Sequence, residues 1–259
     1  MNTGLYLYFE NEKETLIENT FNQLSTVNNY KSNLVSLWLK ERENDVKMIL
    51  NVKTMYSEIS LLINEPKNES NKKIIIDYYK SFKEVYLYEN ICLMDNNGKQ
   101  ILSVSEINSK VSNETIDLIQ NNRIDNNIYF TNSYLENDST INFDIIIPFV
   151  TSNNIKNKAY QILKINPNRH LNNIISKIPF ASKTAETILY ELKNDSVYNL
   201  LPINQIIHKP MQLKIAMTMN EVMIVNSIKN KINYLFGEDY KTDYVLGHSQ
   251  KINGINWYI

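Results

Sequence analysis

Glycine is scarce in this chain, five in 259 residues. That leaves no glycine-rich loop to cradle a phosphate and no G-x-S-x-G elbow to carry a nucleophilic serine. The three histidines, His170, His208 and His248, are far apart, and none forms the His-Glu-x-x-His pair that sets two imidazoles on one helix face. Cysteine occurs once, at Cys92, which rules out an internal disulfide and a multi-cysteine metal site. In its apolar run that thiol is expected to be buried and inert. The lack of a disulfide leaves an extracytoplasmic location open, because a chain this long can bury enough core without one. An excess of one charge sign is also missing. With 27 basic and 28 acidic residues, net −1, there is no concentrated basic face for nucleic acid and no general pull toward an anionic membrane. The carboxylates are numerous but scattered, as on solvated faces, so no catalytic group, metal or cofactor is implied. No apolar run is long enough for a membrane span or a signal peptide; the opening MNTGLYLYFE falls well short. Two accounts remain: a cytosolic protein, or an ectodomain whose membrane segments lie outside this chain.

What is present is a long stretch without breakers. From Leu5 to Glu65 there is neither Gly nor Pro, and Pro66 ends the run. Leu24, Val27, Leu34 and Trp38 recur at helical intervals, and Val35, Leu39, Val46, Ile49, Val52 and Tyr56 continue the stripe. The spacing predicts a spine helix from about residue 12 to 64, roughly 75 Å long at 1.5 Å per residue. Two shorter helices with an unmarked break are the alternative. A second helix is predicted over 72–86.

The period then changes to two. Residues 91–94 and 100–104 form a hairpin around Asp95-Asn96-Asn97-Gly98, and 113–122 a short helix capped by Ser112 or Asn113. Strands follow at 128–135, 141–150 and 158–165, then a linking helix at 170–178. A second block repeats the order with less material. It has a hairpin at 187–200 around Asn194-Asp195, a strand at 212–218 and a helix at 220–236. Strands at 244–251 and 255–259 follow, joined at Asn253-Gly254. The class is α+β: a spine (1–66) and two modules (67–168 and 169–259), each an antiparallel sheet flanked by helices.

Four residues interrupt the pattern as candidate ligand contacts. Asp144 sits in the most apolar strand, INFDIIIPF, on the face opposite Phe143, Ile145 and Ile147. A carboxylate there must be hydrogen-bonded or paired; it either anchors a loop or meets an amine or hydroxyl of a ligand. Arg123, one of three arginines, precedes the strand with Tyr129 and Tyr134. Its guanidinium suits a ligand carboxylate, or a structural pairing with Asp144 or Asp125. Tyr160 on a later strand completes the set. Most of the 17 tyrosines are read as ordinary core.

In order, YENICLMDNNGKQILS, IYFTNSYLENDSTINFDIIIPFV and KAYQILKINPNRHLNNIISKIP resemble the extracellular double-Cache sensor domains of bacterial membrane receptors. These include sensor histidine kinases and sensory-box diguanylate cyclases. SKTAETILYELKNDSVYNLLPIN and YVLGHSQKINGINWYI resemble the opening and close of the second module in that family. The resemblance implies two PAS-like modules, membrane-distal first, on the extracytoplasmic side of the bacterial cell membrane. It also implies a small-molecule ligand in the distal module and membrane anchoring through helices absent from this chain. Homodimerisation through the N-terminal helix and a cytoplasmic kinase or cyclase output are implied as well. The amino-acid-binding signature of such receptors, DxRxWYxxA…YxD, is not recognisable; NNRIDNNIYFTNSY fills its region, so an amino-acid ligand is not implied. A soluble tandem PAS-like scaffold is the alternative.

Overall fold

The computed structural model describes residues 3–105, 111–121, 123–124, 127–136, 140–150, 158–179, 182, 184–203 and 208–259. Helix α1 runs from Thr3 to Asn51, 49 residues, about 74 Å at the standard rise. Along α1 Thr15, Thr20 and Thr26 donate their hydroxyls to carbonyls one turn back, which satisfies them within the helix while sharing the ladder's acceptors. The predicted spine does not reach residue 64 unbroken. Val52 leaves the helix with ψ 104 and caps a separate helix, α2 (Lys53–Asn64). Neither Gly nor Pro marks the break; a β-branched residue, stiff and tolerant of extended backbone, takes it. Helix α3 (Glu69–Tyr86) begins a turn earlier than predicted because Asn68 accepts from the Asn71 N–H at 3.2 Å. It stops where Leu87 turns left-handed, φ 57.

The chain divides into two compact units, Trp38–His170 on the one hand and Met1–Leu37 with Leu171–Ile259 on the other. Among the described residues no sheet is shared between them.

In the Trp38–His170 unit the hairpin β1 (Asn90–Asp95) and β2 (Gln100–Ser103) turns as the sequence predicts. Asp95 Oδ1 accepts from the Asn97 and Lys99 N–H groups, and Gly98 takes φ 74. Helix α4 (Asn113–Gln120) is capped by Ser112, whose Oγ accepts from Thr115 N–H at 2.9 Å; residue 122, its predicted end, lies outside the described residues. The predicted strand 128–135 is split into β3 (Tyr129–Phe130) and β4 (Tyr134–Glu136). The split comes where Thr131 N–H bonds to Asp144 O and Thr131 Oγ1 accepts from Asp144 N–H, both at 2.9 Å. With β5 (Thr140–Val150) and β6 (Lys158–Ile165) they form an antiparallel sheet in the order β2-β1-β6-β5-β3, β4 also pairing with β5. One face carries Phe143, its ring 6.0 Å from that of Trp38. The other packs Cys92, Met94, Ile146, Tyr160 and Ile162 under Leu118 and Ile119 of α4.

Helix α5 (Pro167–Ile175) starts three residues before its predicted beginning. Proline suits the first helical position, where its missing N–H costs nothing. Beyond it stand β7 (Tyr190–Lys193), β8 (Ser196–Asn199) and β9 (Lys214–Ala216). Helix α6 (Met223–Asn230), β10 (Tyr234–Glu238), β11 (Tyr244–His248) and β12 (Trp257–Tyr258) follow. The helix predicted over 220–236 is cut short: Lys231 turns left-handed, φ 55, and YLFGE pairs with β11 as a strand. Tyr, Leu and Phe are strand formers that the helical reading absorbed. The order β12-β7-β8-β9 puts the last strand beside the opening hairpin. Gln250 and Ile259 exchange backbone bonds that carry β12 on to the residues after β11. This repeats the β1-β6-β5 arrangement of the other unit. Trp257 is fully buried and donates Nε1 to Glu191 Oε1 at 3.0 Å. The apolar stripe read along α1 is consumed inside the chain: Leu24 and Val27 line a cavity, and Trp38 meets Phe143 and His170.

Candidate functional site

Asp144 is fully buried on β5, on the α4 face of its sheet. Its Oδ2 accepts from Ser112 N–H at 2.9 Å and Thr115 Oγ1 at 2.6 Å, and its Oδ1 from Tyr134 OH at 2.8 Å. One carboxylate therefore ties the start of α4 and the strand β4 to the sheet. Burial pushes its pKa up, while the bonds from Thr115, Ser112 and Tyr134 and the nearby Lys164 charge pull it down. Glu114 on α4 reinforces the same loop by accepting from Asn132 N–H at 3.2 Å and from its side-chain amide at 3.0 Å.

Opposite Asp144 on β6 lies Lys164, only 1% exposed. Its Nζ is 2.6 Å from Glu136 Oε1 and 5.7 Å above the Tyr134 ring. Glu136 Oε2 also accepts from the Asn142 amide at 3.0 Å. Burial, then the Asp144 carboxylate, raises the Tyr134 phenol well above its ordinary pKa, so the phenol stays a donor. The result is a connected polar group in which Asp144 and Lys164 are buried and Tyr134 and Glu136 reach toward the surface.

The sequence-predicted residues separate here. Tyr134 and Asp144 are in direct contact. Tyr160 is fully buried in the cluster of Cys92, Met94, Ile146 and Leu118, on the same face. Arg123 stands at the surface, its side chain 64% exposed, with Nη1 3.3 Å from Asp117 Oδ2; Asp125, its other suggested partner, lies outside the described residues. Sequence reasoning passed over Lys164 and Glu136. The signal for both was available: Tyr160, Ile162 and Lys164 share one strand face, and Glu136 lies two residues beyond Tyr134. Among the described residues no group of three or more His, Cys, Asp or Glu could hold a metal ion, and no helix is long and apolar enough to cross a membrane.

A cavity of about 470 Å³ lies in the other unit. Its walls are Leu24, Val27 and Asn28 of α1, the segment around Glu186 and Ile188, the start of α6, and β10–β11. The 169–259 block, read from the sequence as having less material than the first, lines a cavity all the same. It does so because α1 supplies a wall from outside the block.

No protein-family model matches the chain, and no curated protein matches it. Solved structures do match in fold. The sensory domain of the Campylobacter jejuni chemoreceptor Tlp3 (CcmL) superposes with a TM-score of 0.64 at 16% identity, over 95% of each chain. The same domain with isoleucine bound gives 0.64 at 16%, over 95% of this chain and 94% of that one. The sensor domain of the V. cholerae histidine kinase DctB gives 0.51 at 10%, over 95% and 96%. The chain thus has the fold of these bacterial sensory domains over nearly its whole length.

Proposed function

We propose that this chain is the sensing domain of a membrane receptor, lying on the extracytoplasmic side and relaying a small-molecule signal to a cytoplasmic histidine kinase or diguanylate cyclase. The observation that carries the reading is the match to sensory domains over 95% of the chain, both units included. The ligand site belongs in the Trp38–His170 unit, on the α4 face of the sheet. Tyr134 and Asp144 form its polar floor, Tyr160 its apolar flank, and Arg123 its rim.

The hydrogen bonding of Asp144 supports a mechanism. Its carboxylate holds both α4 and Tyr134, so a ligand bonding Tyr134 OH competes with that hold and favours a second setting of the helix. A ligand shifts an equilibrium only through such differential affinity. The receptor works as a dimer through the N-terminal helix, on which Leu5, Tyr6, Leu7, Tyr8 and Phe9 are exposed.

A thermal-shift screen of the chain against amines, organic acids, sugars and amino acids tests the reading, since a ligand stabilises by RT ln(1 + [L]/Kd). A hit should weaken with Tyr134→Phe, and a carboxylate hit with Arg123→Ala. In the full receptor the same compound, supplied outside the cell, must change the output. A screen in which no binder weakens with Tyr134→Phe would overturn the assignment.

A further inference from the structure

The cavity in the unit of residues 1–37 and 171–259 has no part in the site above. Its volume, about 470 Å³, falls within the range of small-ligand pockets. Much of its wall is apolar, with Leu24, Val27, Ile188, Leu235 and Leu246.

Three polar atoms of residues that line it stand without a hydrogen-bond partner among the described residues: Asn28 Oδ1, His248 Nδ1 and Ser249 Oγ. Asn28 is 5% exposed and Ser249 7%. The Asn28 amide cannot be relieved by rotating it. Its Nδ2 donates to His248 O at 2.7 Å and to Ile259 O at 3.1 Å, and both partners are acceptors, so the nitrogen must face them. The oxygen is left needing a donor. Folded proteins leave few such atoms unmet, but each of the three is closed to a water molecule, so an occupant reaches them only if the wall shifts.

Charge narrows the occupant. The described lining residues include no Lys and no Arg, whereas Glu186, Glu238 and Asp239 all contribute carboxylates. Asp239 Oδ1 is taken by the Lys241 and Asp243 N–H groups at 2.7 and 3.0 Å. Glu186 accepts from Tyr240 OH through Oε1, which also stands 3.5 Å from Lys241 Nζ. An anion would meet carboxylates without a cation on the wall.

We propose that this cavity is a second small-molecule site, taking an uncharged or singly cationic molecule that carries an NH or OH donor on an apolar body. The donor goes to Glu186, and the body lies against Leu24, Val27 and Leu246. Because the Asn28 amide joins α1 to the carbonyls of His248 and Ile259, occupancy bears on how the first helix is held to the end of the chain. The inference stands without the sensing role, since it concerns binding alone.

Three molecules of one shape test it: 3-methylbutylamine, 3-methyl-1-butanol and 3-methylbutanoate, titrated into the isotope-labelled full chain and followed by NMR. The amine and the alcohol should give saturable shifts centred on the amides of Asn28, Leu246 and Ser249, and the acid should bind about ten-fold more weakly or not at all. Glu186→Gln should weaken the amine and spare the alcohol. Leu24→Trp, which fills the space, should abolish both; if it fails to fold, Leu246→Phe serves the same purpose. No saturable shift at these residues would mean that water alone fills the cavity, and the proposal falls. It falls equally if the acid binds as well as the amine, or if binding survives a filled cavity. None of these outcomes touches the Tyr134 and Asp144 site, whose readout lies in the other unit.

Discussion

Lys31 offers the sharpest test of the energetics. It is 2% exposed, yet its ammonium has no carboxylate partner in the hydrogen bonds it makes: Nζ donates to Ile175 O at 2.6 Å and to Thr187 Oγ1 at 2.7 Å. Burial lowers its pKa from 10.5 to about 8. The sign follows from proton counting. Below pH 8 both folded and unfolded chains hold the proton, and folding bears the full penalty of a buried charge. Between pH 8 and 10.5 the unfolded chain holds more protons, so stability rises with pH, by at most about 1.4 kcal/mol per pH unit. Above 10.5 both are neutral and the penalty is gone. Between pH 7.5 and 9.5 the gain attributable to this one residue is about 2 kcal/mol.

Lys31→Met keeps much of the stem and removes the charge, but strands Ile175 O and Thr187 Oγ1 at about 1 kcal/mol each or more. Near pH 7.5 the lost penalty and the lost bonds offset each other, and the variant should lie within about 1–2 kcal/mol of the parent. At pH 9.5 it should be the weaker by about 2 kcal/mol more than at 7.5. Urea unfolding at several pH values, with Trp38→Phe in both proteins, leaves Trp257 to report on the unit that contains Lys31. Other lysines and tyrosines titrate in the same range, so the difference between parent and variant is the quantity to read. A parent–variant gap that stays flat from pH 7.5 to 9.5 would show that Lys31 titrates normally, and the burial argument would be wrong.

Asp144→Ala should cost about 3 kcal/mol, because it strands the buried Ser112 N–H, removes the bonds from Thr115 Oγ1 and Tyr134 OH and leaves a cavity; a melting temperature within a degree or two of the parent would refute the anchoring role. Arg123→Ala removes only an exposed ion pair and should change stability by less than about 0.5 kcal/mol, as thermal unfolding will show. Cys92, 1% exposed and with its thiol pKa pushed far up by burial, should react with a disulfide reagent only as fast as its unit opens; rapid stoichiometric labelling of the native protein would contradict its placement. Gly98→Ala should cost about 1 kcal/mol because φ 74 is left-handed, and an unchanged urea midpoint would argue against that turn.

The strands of the sheet were legible where one face is apolar throughout. INFDIIIPFV and KAYQILKI were predicted to within a residue of β5 and β6, and both hairpins turn where Gly98 and Asn194-Asp195 set them. Failures came where tertiary contacts chose between two locally acceptable states. Nothing in MILNVKTM marks Val52 as a break, and nothing in NKINYLFG stops a helix before Lys231 adopts φ 55. The split of residues 128–135 depends on Thr131 meeting Asp144, partners 13 positions apart. The site was half legible for the same reason. Alternation put Asp144 on the correct face, but cross-strand register alone pairs it with Lys164. Arg123 carried chemistry without periodicity, and spacing offered no way to foresee its exposed pairing with Asp117.

The two units show how one strand order can hold two different interiors. In the Trp38–His170 unit α4 closes over the sheet, and the buried carboxylate at its centre is satisfied by the fold's own N–H, hydroxyl and phenol groups. A ligand there must displace an internal bond to be felt, so binding and rearrangement are coupled by construction. In the other unit the corresponding helix, α6, starts after Val222 without a side-chain cap, and α1 serves as a wall. Its buried amide at Asn28 is satisfied on one atom and not on the other. A ligand there fills space that the fold leaves open, and would stabilise the existing arrangement instead of replacing it. A binder in the first unit should therefore alter which amides exchange with solvent around α4, whereas one in the second should only slow exchange along α1 and β11.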